Sequence, residues 1–69
     1  MDLREIGDLV RKRRESFGLE REQLAEMGDV AGRTVYLLEV GQGNPSFHTL
    51  ISVFDALGLE MIVRVKQSI

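Results

Sequence analysis

A chain of 69 residues with no cysteine, 43% hydrophobic and 29% charged, can hold one small core but no disulfide and no thiolate-held metal. A domain of this size buries only about 60% of its unfolded surface, so tight helix packing or a partner chain has to supply the missing stability. The net charge of −2 and the pI near 5.3 weigh against a uniformly basic nucleic-acid surface.

The charge is nevertheless uneven. Seven of the nine basic residues fall in the first half, and Arg11-Lys12-Arg13-Arg14 form one block, which equally suits a solvated helix face. No apolar run approaches the roughly 18 residues of a membrane span, and Met1-Asp2-Leu3-Arg4-Glu5 lacks the features of a secretory signal. The expectation is a single soluble domain over 1–69 in the cytoplasm.

Asp2 caps a helix predicted over about 3–17, and Glu5 completes a capping box. Leu3, Ile6, Val10 and Phe17 repeat at helical spacing and give this helix an apolar face. Gly18 ends it. Leu19 introduces a short second helix over about 21–27, with Glu20 and Glu22 at the end where the helix dipole favours acids. Gly28-Asp29 marks a turn. Asp29 or Ala31 then opens a third helix, about 32–39, with Val30, Val35 and Leu38 apolar.

Gly41-Gln42-Gly43-Asn44-Pro45 is a loop. Ser46 caps a fourth helix over about 47–57, with Phe47, Leu50, Ile51, Phe54 and Leu57 on its core face, and Gly58 ends it. From there the period changes to two. Leu59, Met61, Val63 and Val65 alternate with Glu60, Ile62, Arg64 and Lys66, which predicts a strand over about 59–66. Nothing else reads as a strand, so its backbone ladder lacks a partner in the chain. The simplest partner is the same strand of a second copy. The expected fold class is mainly α, with four helices and one C-terminal β-strand pairing across a dimer.

Leu24 and Ala25, the turn at Gly28-Asp29, and Val30, Val35 and Leu38 meet the packing needs of a helix-turn-helix. Small Ala25 permits a close, steep crossing, and the short second helix props the third so that it can enter a major groove. Gly18 through Ala25, Val30 through Gly41, Asn44-Pro45-Ser46 and Thr49-Leu50 together resemble the lambda-repressor/Cro-like (XRE-type) helix-turn-helix family over about residues 6–59. The strand after Ala56-Leu57-Gly58-Leu59 is similar to that of HipB-type antitoxins and their relatives.

The resemblance implies a lambda-repressor-like fold and a sequence-specific, DNA-binding transcriptional regulator. More narrowly, it implies the antitoxin of a HipBA-like type II toxin–antitoxin module that represses its own operon and binds its toxin, often a HipA-like kinase. The implied partners are palindromic double-stranded operator DNA and a second copy joined through Leu59, Met61, Val63 and Val65.

By the same resemblance the third helix is the recognition helix, with Gly32, Arg33 and Leu37 facing base edges. Arg33 suits guanine O6 and N7, whereas Leu37 can touch only a thymine methyl. Arg13, Arg21, Thr34, Tyr36 and Ser46 match positions near the DNA backbone, which orient the domain without reading sequence. Arg14 and Glu39 match an internal ion pair. Ala31 stands where Ser or Thr usually caps the third helix, Asp29 where Gly usually makes the turn, and Glu20 where a neutral residue usually meets phosphate. These departures imply modest affinity per domain.

Enzymatic activity is not expected. His48 is the single histidine, there is no nucleophile–histidine–acid set or metal-ligand set, and Gly41-Gln42-Gly43 follows no strand as a phosphate loop would. No cofactor is expected. Two further readings stay open: a stand-alone operator-binding repressor without a toxin, and a protein-binding module that has lost DNA binding. The acidic pI, Ala31 and Glu20 favour the second of these.

Overall fold

The computed structural model describes residues 1–67, and among these it contains four helices: α1 (Leu3–Ser16), α2 (Arg21–Gly28), α3 (Gly32–Glu39) and α4 (Phe47–Ala56). Local chemistry sets the first start. The Asp2 carboxylate accepts the Glu5 N–H at 2.8 Å, and the Glu5 carboxylate accepts the Asp2 N–H at 3.1 Å, which satisfies two donors that the helix itself leaves open. Phe17 ends α1 as its cap residue rather than its last turn.

α1 packs on α3 at Gly7. A Cβ there would collide with the Leu38 carbonyl oxygen and lie 3.0 Å from that of Glu39, so the two helices meet backbone to backbone. A glycine inside a helix costs about 1 kcal/mol relative to alanine. The close approach of α1 to α3 is what that cost makes possible.

α2 closes on a left-handed residue, Asp29, at φ 54° and ψ 47°. The reversal lets the Val30 N–H reach the Ala25 carbonyl at 3.0 Å and turns the chain directly into α3. The core comprises Val10, Leu24, Ala25, Val35, Leu38, Val53, Phe54 and Leu57, with half-buried Leu3, Ile6, Leu19, Val30, Leu50, Leu59 and Met61 around it. Each fully buried Leu or Val contributes roughly 1.5–3 kcal/mol, and α1, α2, α3 and α4 each supply at least one buried apolar side chain to this core.

Two aromatic residues expected in the core are outside it. Phe17 is 52% exposed because the helical phase has ended at its position, and it lies beneath the Arg13 guanidinium, 4.6 Å from ring centroid to cation. Phe47 is 66% exposed at the first position of α4. A helical side chain leans toward the N-terminus, and from the first turn that direction leads off the end of the core.

The expected strand over 59–66 is not formed among the described residues. Leu59 and Met61 pack on the helices as half-buried residues, but Val63 and Val65 are almost fully exposed. The reason is the one that made the strand unusual: a ladder needs two strands, and this chain supplies one. Among the described residues no helix is long and apolar enough to cross a membrane.

Candidate nucleic-acid interface

α3 buries Val35, Leu38 and Glu39 and turns Arg33 and Tyr36 to solvent, with Gly32, Thr34 and Leu37 half-buried between them. A hollow lies along each flank. The first, of about 670 Å³, is lined by Gly32, Arg33 and Tyr36 of α3 and by Glu20, Arg21 and Glu22 at the start of α2. The second, of about 360 Å³, lies between Thr34 and Leu37 of α3 and Ser46 and Thr49 at the start of α4. Two helix N-termini, with their partial positive charge, thus flank the exposed face of α3.

The foundation of this surface is a buried carboxylate. Glu39 accepts from Arg14 at both oxygens, Nε to Oε2 at 2.6 Å and Nη2 to Oε1 at 2.9 Å, while Arg14 Nη1 donates to the Leu19 carbonyl at 2.7 Å. The bonds to Glu39 raise the Arg14 pKa further above its ordinary value. Arg14 and Glu39 are therefore a paired, desolvated link between α1 and α3.

A third member was not foreseen. Arg21 Nε donates to Glu39 Oε1 at 3.0 Å, and its guanidinium lies 5.3 Å from the Tyr36 ring centroid. Two guanidiniums around one carboxylate carry one net positive charge, beside Glu20 and Glu22, which line the same hollow. The Arg21 side chain is 43% exposed. With Nε committed to Glu39, its terminal nitrogens make no hydrogen bond among the described residues.

Of the residues expected near the DNA backbone, Arg21 and Tyr36 come together in the first hollow, and Thr34 and Ser46 in the second. The Ser46 hydroxyl accepts the Thr49 N–H at 3.1 Å and donates to Thr49 Oγ1 at 3.0 Å. Arg13 joins neither hollow. Its Nε donates to the Leu57 carbonyl at 2.9 Å, because the open carbonyls at the end of α4 attract a cation. Arg33 makes no ion pair among the described residues.

The basic block is partly neutralised on its own helix. Arg11 and Lys12 hold Asp8 at 2.7 and 2.9 Å, and they keep its carboxyl below the ordinary value. These residues form the solvated face of α1.

Two tertiary roles, those of Gly7 and Glu22, escaped the sequence reading. Gly7 carried a legible signal, since a glycine inside a strong helical pattern needs a packing reason. Glu22 carried none: its carboxylate lies against Gly32, crowding the place a Cβ there would take, and only the fold brings the two positions together. Among the described residues no group of side chains could hold a metal ion.

A family model described as helix-turn-helix matches residues 10–62. The structure is similar to that of the restriction-modification controller protein C.AhdI from Aeromonas hydrophila, with a TM-score of 0.78 and 31% identity, covering 84% of this chain and 88% of that one. A comparison with curated proteins finds no match.

Proposed function

The chain belongs to the lambda-repressor/Cro-like (XRE-type) helix-turn-helix family, and from that membership we propose a homodimeric transcriptional regulator that binds a palindromic operator. The observation that carries this reading is the placement of α3. Its exposed residues stand between two helix N-termini, with Arg21 and Tyr36 on one flank and Thr34 and Ser46 on the other. These four contact phosphates, and Arg33 and Leu37 reach base edges. Arg13, whose Nε is held by the Leu57 carbonyl, reaches a phosphate with its terminal nitrogens from outside the two hollows.

The dimer is supported by the C-terminal segment. Ile62, Val63 and Val65 are 73%, 87% and 93% exposed on a stretch that has no ladder of its own. Antiparallel pairing of two copies satisfies both backbones. It also sets two α3 helices about a two-fold axis, with half-site centres roughly 34 Å apart.

Two measurements test this reading. Binding to random duplex should weaken as salt rises, as phosphate contacts require; an absence of any such binding would leave the protein-binding module. Truncation after Gly58 should convert a sedimenting dimer to monomer, and a truncated chain that still dimerises would remove the segment from the interface.

The antitoxin of a HipBA-like module is the finer reading. It rests on the resemblance of the terminal segment, and its test is a toxin that stays bound through gentle purification from the native host. Recovery of the regulator alone favours the stand-alone repressor. Similarity to a restriction-modification controller supports the regulator and does not choose between the two.

A further inference from the structure

Of the three residues expected at base edges, Gly32 has no side chain with which to read anything. The structure fills that place from another helix. Glu22, on the first turn of α2, extends its carboxylate over Gly32 so that Oε1 crowds the position a Cβ would take, with Cδ 3.0 Å from that point. Any larger residue at 32 would push it away. The N-cap of α3 is Ala31, whose side chain makes no capping bond. The positive end of α3 is therefore unshielded by its own cap, and it holds a carboxylate there electrostatically. Arg33, the neighbouring residue, lines the same hollow.

The N-terminal end of a recognition helix is the end that meets base edges. A carboxylate at that end repels every phosphate it approaches, whatever the sequence. It becomes favourable only where it meets a hydrogen-bond donor in the groove; adenine N6 and cytosine N4 both offer one, but the acceptor N7 beside adenine N6 repels a carboxylate, which leaves cytosine N4 as its partner. We propose that Glu22 is a specificity-determining residue that accepts a hydrogen bond from a cytosine next to the guanine held by Arg33. Gly32 serves to admit the carboxylate. Acid and base side by side then read a G·C-containing step, and the acid penalises other duplexes.

This inference rests on the DNA-binding reading above, and one experiment separates the two. Preferred duplexes are selected from a randomised library with the wild-type chain and with Glu22→Gln. The wild type should select cytosine at one position in each half-site, beside a guanine. Gln prefers adenine N6 and N7, so Glu22→Gln should change that one position to adenine, by about tenfold, and leave the rest of the site alone. Gly32→Ala should relax the same position although residue 22 is unchanged. Its new Cβ meets only the mobile end of the Glu22 side chain, and alanine is the better helix former, so its thermal midpoint should not fall below that of the wild type. If Glu22→Gln selects the wild-type site with uniformly altered affinity, the carboxylate is only a cap or a general repulsive charge, and the inference fails while DNA binding stands. If the wild type enriches no sequence and shows no salt-dependent binding, both fail together.

Discussion

The contact between α1 and α3 and the segment from Gly58 to Gln67 are opposite answers to the problem of a small core. In the first, Gly7 brings two backbones together and Arg14 and Glu39 close the joint with a doubly hydrogen-bonded, desolvated pair. In the second, Val63 and Val65 stand almost wholly in water. One region has every partner within the chain; the other packs only Leu59 and Met61 on the helices and has no partner for its ladder among the described residues. The lesson is that apolar alternation alone does not make a strand. A second backbone does.

The comparison can be broken most directly at Glu39. Glu39→Ala should cost about 3–5 kcal/mol, because it leaves the buried Arg14 charge unpaired and releases Arg21 as well. Chemical denaturation would measure it. A loss below about 1 kcal/mol would mean that water reaches the joint and that the pair behaves as a surface pair.

Next is Gly7→Ala, at about 1–3 kcal/mol of destabilisation. The added methyl meets backbone oxygens of Leu38 and Glu39, which cannot swing aside as a side chain would. A stabilised variant would show that α1 and α3 are further apart than this contact requires, since alanine is otherwise the better helix former.

Asp29→Gly sharpens the comparison in the other direction. Asp29 carries a left-handed backbone at φ 54°, so relieving it should raise stability by about 0.5–1 kcal/mol. Thermal unfolding should show a small upward shift in midpoint, and a downward shift would mean that the Asp29 side chain stabilises the turn.

Smallest in the fold of the single chain is Val63→Pro. The residue is 87% exposed and its segment forms no strand among the described residues. At dilutions where the chain is monomeric, its stability should stay within about 0.5 kcal/mol of wild type. At higher concentration the same substitution should abolish the sedimenting dimer, because proline removes a ladder donor. Loss of monomer stability would place the segment in the helical core instead.

Much of the site was legible for the same reason the helices were. Asp2 with Glu5 and Ser46 with Thr49 are contacts within one turn, so spacing alone reveals them. Arg14 and Glu39, 25 residues apart, came from resemblance rather than pattern. Arg13 was assigned to phosphate without the Leu57 carbonyl that its Nε meets, which is 44 residues away. Arg21 was assigned to phosphate without Glu39, since no local rule connects the two.

The sequence by itself determined four helices, their caps and turns and the exposed face of α3, because these follow from contacts between residues a few positions apart. Tertiary structure alone decided that Gly7 would be a joint, that Arg21 would share Glu39 with Arg14, and that Glu22 would fill the space above Gly32. Each of those depends on where a second helix lies to within an ångström or so, and close packing, which tolerates neither an extra methyl nor an unpaired charge, sets that position.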